Sequence, residues 1–416
     1  MERIIFSAPF VWCCKNKFLK DAFVIVEKNT IVDVRTSLNP DEKSNLKIIS
    51  FPNTIILPGF VNAHTHLNLS ILKGKIKPTR NITKWFKKLI LLRQSMSTYD
   101  FNSSYEIGVK ESIQDGTTTV ADITDMGTAY SIMKKYGLRA VLFYEILGMK
   151  EDFYLPRLSE KIQILEGFPE DELIKPGLSP HSPYTVSPEL FHLCKEIASK
   201  YNLNLHIHLS ETVDEVKFTK FGKGRIFNFL KETDFINSDY VPPRISPTKY
   251  LREIGMFDKP LVLAHCNYLD EEDMEIIKAS GSSVVFCPSS HSFFKHKNHP
   301  FKKLISLGIN VALGTDSLSS NSTLSILDEL KFLMKHYPDI DIEELLEMAT
   351  INGAKALELE NKIGTIEPNK CADLIAINIG NKSTNPLRAI FNKDSKVIAT
   401  IVNGKILHSD KESKSL

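Results

Sequence analysis

Along this chain the spacing of apolar residues changes twice. From residue 1 to about 57, short runs of β-type composition (RIIFSAPFVW, AFVIVEKNTIVDV, LKIISF) are separated by turn residues and show no helical period. From about 58 to 364, short apolar segments alternate with longer amphipathic ones. From 365 to 416 the first texture returns, in ADLIAINI and KVIATIVNGKIL. Repeated strand-then-helix patterning is the mark of a parallel sheet with helices packed outside it. Eight candidate strands stand in the central segment: IILPGFVNAHTH, TTTVADIT, RAVLFYEIL, KPGLSPHS, LNLHIHLSE, PLVLAHC, SSVVFCP and NVALGTDS. Eight such units predict a (β/α)8 barrel of the TIM type over 58–364. The flanking pieces, 1–57 and 365–416, are then expected to pair into one small β-sandwich built from both ends of the chain. The closing SDKESKSL reads as a frayed tail.

Composition narrows the class of partner. With 52 basic against 50 acidic side chains the formal net charge is +2, which offers no field for nucleic acid or an anionic membrane surface. No apolar run approaches the roughly 18 residues of a membrane span. The start, MERIIFSAPFVW, reads as a first strand rather than a signal peptide. Six cysteines (13, 14, 194, 266, 287 and 371) show no metal-type spacing and are sparse for a disulfide framework. Reduced thiols in the cytoplasm are the expectation. Cys13 and Cys14 are expected on opposite faces of a strand.

The chemistry sits at predicted strand ends. His64 and His66 close the first barrel strand; alternate residues share a face, so both imidazoles point into the barrel mouth. His208 closes the fifth, in HIHLSE, and Glu211 follows where the chain leaves the barrel, the place for a proton carrier beside a metal-bound water. His206, two residues earlier, is read as a hydrogen-bonded histidine of the barrel interior. His265 closes the sixth strand in LVLAHC, and Asp316 the eighth in VALGTDS. A buried acid there is costly unless paired or metal-bound. Active sites of such barrels are built from these C-terminal strand ends.

The series PGFVNAHTH, HIHLSE, LAHC and GTDS resembles the amidohydrolase superfamily over essentially the whole chain. Its nearer relatives look like the aminodeoxyfutalosine, S-adenosylhomocysteine, cytosine and guanine deaminases, with the triazine chlorohydrolases beside them. The resemblance implies a small heterocyclic substrate and one divalent metal, zinc or ferrous iron, held by His64, His66, His208 and Asp316. It implies a catalytic set of Glu211, His265 and Asp316: Glu211 protonates the ring nitrogen, Asp316 accepts the proton of the attacking water, and His265 holds the new oxygen. Binuclear members carry a bridging lysine at the end of the fourth strand. Here that end offers His181, and Lys175 lies at the strand's start, so a single metal is expected.

Substrate contacts follow from the same resemblance. His181 in PHSPYTVSPELF, Trp85 in ITKWFKKL, Glu145 in FYEILG, Asn68 in THLNLS and His291 in CPSSHSFFKH are the candidates. Lys84 stands where S-adenosylhomocysteine deaminases carry a ribose-binding carboxylate, and their arginine after the third strand is missing. The expectation therefore moves to 6-amino-6-deoxyfutalosine, an intermediate of menaquinone synthesis. Deamination of guanine, cytosine, S-adenosylhomocysteine or methylthioadenosine, chlorohydrolysis, and a non-catalytic binding barrel are the alternatives. Ser319, Ser320 and Asn321 are expected to cap the next helix. Relatives of this kind often form homodimers, although no helix here displays a clear interface stripe.

Overall fold

The computed structural model describes residues 3–40, 42, 46–380, 385–410 and 414–415. Strands β1 (Arg3–Cys14), β2 (Lys17–Glu27) and β3 (Thr30–Arg35) form an antiparallel meander. On the free edge of β1, β4 (Lys47–Ser50) and β5 (Thr54–Pro58) pair in succession, both parallel to it. Eight strands of the predicted alternating segment follow: β6 (Phe60–Thr65), β7 (Thr117–Thr124), β8 (Arg139–Ile146), β9 (Ile174–Pro180), β10 (His206–Leu209), β11 (Val262–His265), β12 (Ser283–Phe286) and β13 (Val311–Leu313). The chain then returns through β14 (Leu374–Asn378), β15 (Lys396–Val402), β16 (Lys405–Ser409) and β17 (Lys414–Ser415).

The two chain ends meet where β14 pairs antiparallel with β5. The hydrogen bonding joins these strands from both chain ends in one connected nine-stranded sheet, with a core of its own that includes Phe6, Val11, Val24, Ile56, Leu374 and Ile398. The long β1 makes this connection, because one of its edges carries β4 along Ile4–Ser7 and β5 at Phe10 and Val11. In the expected frayed tail, Lys414 and Ser415 pair with β4, whereas 411–413 and 416 lie outside the described residues.

The expected first barrel strand is also divided. Residues Thr54–Pro58 belong to the nine-stranded sheet and the barrel strand begins at Phe60. Proline cannot extend a ladder of donors. At Gly59 a Cβ would lie 2.1 Å from Thr118 Oγ1, so only glycine lets the chain cross between the sheets there.

β6–β9 and β10–β13 are each a four-stranded parallel sheet. At the two seams the pairing shrinks to isolated parallel bridges, Leu178 with Leu205 and Thr65 with Asp316, so no continuous ladder closes the ring. One seam is short because β13 spans only three residues before the chain bends at Gly314. A Cβ on Gly314 would come within 2.9 Å of His64 Cβ. The amides of Thr315 and Asp316 then both donate to the His64 carbonyl at 3.1 Å, which draws Asp316 across to His64.

At the opposite end of the strands a buried ion pair ties the eight-stranded body to the nine-stranded sheet. Arg139 Nε and Nη2 donate to Asp373 Oδ2 and Oδ1 at 2.8 and 3.1 Å. All six cysteines are free; Cys13 is buried and Cys14 partly so, at a register shift between Trp12 and Cys14. Among the described residues no helix is long and apolar enough to cross a membrane.

Candidate active site

His64 lies in β6, His208 in β10 and His265 at the last position of β11; His66 follows β6 directly and Asp316 follows β13. Three of these strand exits leave the sheet through left-handed backbone: Ser210 at φ 50°, His265 and Cys266 at 71° and 53°, and Asp316 at 57°. Non-glycine residues adopt that region only where the surroundings impose it, and such positions cluster at functional sites.

The donor atoms converge. His66 Nε2 stands 3.3 Å from His208 Nε2, and Asp316 Oδ1 is 3.8 Å from both His64 Nε2 and His66 Nε2. His208 Nδ1 donates to the carbonyl of His181 at 3.1 Å, which leaves its Nε2 as the lone-pair nitrogen of a neutral ring. His64 Nε2 is buried and has no hydrogen-bond partner among the described residues. On its other side His64 Nδ1 meets His206 Nε2 at 3.3 Å, so His206 is the interior histidine that orients the ring. Imidazole nitrogens about 2.0–2.1 Å from a tetrahedral zinc stand about 3.3 Å apart, so this set fits a divalent ion. His64, His66 and His208 can all present a ligand atom to one ion. Burial, with the neighbouring imidazoles, holds His64 and His208 well below the usual histidine range, in the neutral form a metal needs. Asp316 is held by Ser290 Oγ and Ser320 Oγ on Oδ2, at 2.6 and 2.8 Å, and by the Ser317 amide on Oδ1 at 2.8 Å.

Glu211 and His265 face each other across this centre, with Oε1 4.0 Å from Nε2. Burial first, and then the carboxylates of Asp316 and Glu215, hold the Glu211 carboxyl well above the usual range. A carboxyl kept protonated in a closed site is the form a general acid requires. His299 Nε2 donates to the His265 carbonyl at 2.7 Å while its Nδ1 accepts the Phe301 amide at 3.0 Å, which fixes the left-handed exit of β11.

Above these residues opens a cavity of about 410 Å³. His66, His208, Asp316, Glu211 and His265 line it together with His181 and Glu145. Trp85, Phe86, Leu89 and Ile90 of helix Ile82–Gln94 form an apolar wall. His181 is fixed by Ser182 and Thr185 hydroxyls at 2.9 and 2.7 Å from Nδ1, and its Nε2 lies 4.0 Å from Glu145 Oε1.

The amidohydrolase family model matches residues 55–407. The chain belongs to the amidohydrolase family. It is accordingly a hydrolase acting on carbon–nitrogen bonds. A 5-methylthioadenosine/S-adenosylhomocysteine deaminase of Thermoanaerobacter pseudethanolicus is 31% identical, over 97% of this chain and 92% of that protein. Among solved structures, the aminofutalosine deaminase of Helicobacter pylori in complex with methylthio-coformycin superposes with a TM-score of 0.85. It is 26% identical, over 98% of this chain and 100% of that one. An adenosine deaminase of Xanthomonas campestris with bound zinc has the same TM-score at 22% identity, over 99% and 94% of the two chains, and supports the TIM-type barrel.

Not every residue expected at the site of this amidohydrolase reaches the cavity. Trp85, Glu145 and His181 line it; Asn68 and His291 do not. Asn68 lies in the 3-10 turn Leu67–Leu72 and donates to Asp125 Oδ1 at 3.2 Å. His291, in helix Pro288–Phe293, packs among Phe286, His296 and His299. Ser325, not Ser319–Asn321, caps helix Ile326–His336; Ser320 turns to Asp316, and Asn321 Nδ2 to Glu329 at 2.7 Å. Among the contributors that sequence reasoning misses are Arg93, Glu215, Ser290 and His299. Arg93 stands eight residues beyond Trp85, two turns along the same helix face, and that period was its signal. It lines the cavity while ion-paired with Asp125.

Proposed function

We propose that this amidohydrolase deaminates a purine-type nucleoside, with 6-amino-6-deoxyfutalosine as the favoured substrate. The observation that carries the reading is the buried Glu211 carboxyl, 4.0 Å from His265 Nε2 on the floor of the cavity, together with the convergent donors of His66, His208 and Asp316. His64, His66, His208 and Asp316 would hold one divalent ion, zinc or ferrous iron, as imidazole and carboxylate suit both. Such an ion acidifies a bound water and supplies a nucleophile near neutral pH.

The chain's own groups do the rest. Asp316 accepts the proton of the attacking water. Glu211 gives its proton to the ring nitrogen beside the carbon under attack, which makes that carbon electrophilic. His265 Nε2 hydrogen-bonds the oxygen that adds. The carbon passes through a tetrahedral state; Asp316 then passes its proton to the amino group, the carbon–nitrogen bond breaks to release ammonia, and the proton of the added hydroxyl returns to Glu211 as the carbonyl forms. His181 and Glu145 face the ring and Trp85 covers it, in an apolar enclosure that strengthens each polar contact.

The name of the Helicobacter relative supports aminodeoxyfutalosine, and so does Lys84, exposed where a ribose-binding carboxylate was sought. The name of the Thermoanaerobacter relative supports a second reading, methylthioadenosine or S-adenosylhomocysteine. The test is turnover by zinc- or iron-loaded protein of aminodeoxyfutalosine, methylthioadenosine, S-adenosylhomocysteine and adenosine side by side, followed by the adenine-to-hypoxanthine absorbance change. Preference for aminodeoxyfutalosine is the expected result; preference for methylthioadenosine selects the second reading. Inertness towards all four by protein with metal bound refutes nucleoside deamination.

A further inference from the structure

Glu215 is the third residue of helix Val213–Phe221, whose cap, Thr212, accepts the Glu215 amide at 3.1 Å. In this T-x-x-E arrangement the carboxylate ordinarily turns back to the amide of the cap residue itself. Here it reaches further. Oε1 accepts the Ser210 amide and Oε2 the Glu211 amide, each at 2.8 Å. The other faces of the same two residues are held as well: Asn267 Nδ2 donates to the Glu211 carbonyl at 2.9 Å and the Tyr268 amide to the Ser210 carbonyl at 3.1 Å. Ser210 is in the left-handed region, so the chain turns out of β10 against its local preference.

Glu215 is fully buried and does not line the cavity, so it touches no substrate. Two convergent donors require two acceptor oxygens, which only a carboxylate at this reach supplies. Glutamine would set its amino group against one of the two amides. Aspartate keeps both oxygens but is one methylene too short.

We propose that Glu215 is a positioning residue for the reaction: by clamping two backbone amides at the exit of β10 it sets the direction of Glu211 and the placement of its carboxyl. This rests on the reading of Glu211 as the proton donor. The experiment compares Glu215→Asp, Glu215→Gln, Glu211→Gln and the double variant Glu211→Gln/Glu215→Asp. All are loaded with zinc and assayed with whichever of aminodeoxyfutalosine and methylthioadenosine the wild type turns over.

A misplacement of about an ångström costs up to about 100-fold, so both Glu215 variants should lose about 10- to 100-fold in kcat with KM within about threefold. The double variant should be no slower than Glu211→Gln alone, because the clamp acts through that one side chain. Hydrogen exchange at the amides of 210 and 211 should quicken in Glu215→Asp, a readout independent of turnover. Wild-type kcat in Glu215→Asp overturns the inference, and so does unchanged exchange, or a double variant slower than Glu211→Gln by the full single-variant factor. Full activity in Glu211→Gln overturns instead the role of Glu211.

Discussion

Arg139→Met should destabilise the fold without touching the chemistry. Arg139 opens β8 at the end of the strand away from the active site, with its side chain 3% exposed, and its partner Asp373 is 1% exposed. Removing the arginine leaves Asp373 Oδ1 with the Asn403 amide at 2.8 Å and strips Oδ2 of its charged donor. An uncompensated charge buried in this way costs about 3–5 kcal/mol, a large part of the roughly 5–15 kcal/mol that keeps a protein folded. Exchanging both partners for apolar residues, Arg139→Met with Asp373→Leu, removes the orphan charge. It should recover most of that loss, short of the about 1–3 kcal/mol for leaving the Asn403 amide without an acceptor. Urea unfolding followed by tryptophan fluorescence and by pulse proteolysis measures all three proteins, and kcat is taken per folded molecule at low temperature. The single variant should unfold several kcal/mol earlier at unchanged kcat, because the far end of the strands carries stability rather than catalysis. A loss below about 1 kcal/mol in the single variant, or a double variant no better than the single, refutes the account.

Chelation should abolish turnover and lower the melting temperature. Zinc or ferrous iron should restore both, since ligand at about 100 times its dissociation constant stabilises by about 2.7 kcal/mol; a melting temperature indifferent to metal speaks against the four-residue site. Because Glu211 must carry a proton and its pKa is raised, kcat/KM should fall only as pH climbs through a value well above the usual carboxylate range. A profile already falling at pH 5 contradicts this. His299 is fully buried and its pKa is pushed down to about 3, so below pH 6.5 the unfolded chain takes up a proton that the folded one refuses. At pH 5 that difference is worth about 2 kcal/mol, and His299→Gln should flatten the fall of the urea midpoint between pH 7 and 5; identical slopes dismiss it. Trp85→Ala opens the apolar wall and should raise KM at least about tenfold with a smaller change in kcat; an unchanged KM would mean that the ring covers no substrate.

What could be read from the residues, and what could not, divides by the range of the interaction. His64, His66, His208, His265 and Asp316 announce themselves because each closes a strand whose apolar run is visible in a few neighbouring positions. β7 is read to the residue, as TTTVADIT is apolar or β-branched at every position but Asp122 and buried throughout. The first strand was read too long because PG looks like punctuation within one strand, while the side chain of Thr118, far along the chain, decides that it is a crossing. Asn68 is expected at the site only from the resemblance of THLNLS; it lies where the chain has already wound into a 3-10 turn, and its side chain turns to Asp125. Ser290, His299 and Glu215 reach the site from loops and helices whose arrival no local pattern encodes. The T-x-x-E spacing marks Glu215 as a cap, but its actual partners depend on the direction in which β10 ends.

The strained exits of β10, β11 and β13 have a common reason. Each must turn a functional side chain inward and at once lead its backbone out to an external helix, and the left-handed region is the sharpest reversal a single residue can make. Glycine would take that turn freely, yet a glycine at 265 or 316 brings no imidazole or carboxylate. The strain is therefore carried by the functional residue itself at His265 and Asp316, and by Ser210 next to Glu211. Each is braced from outside the strand: Glu215 at β10, His299 at β11, and at β13 the His64 carbonyl, which accepts the amides of Thr315 and Asp316. The braces are polar, buried and absent from the cavity lining, and at β13 the bracing carbonyl belongs to His64, itself one of the convergent donors. A site assembled in this way stores its geometry in backbone hydrogen bonds rather than in side-chain packing. Substitutions at the braces should consequently degrade kcat before they degrade the affinity for substrate.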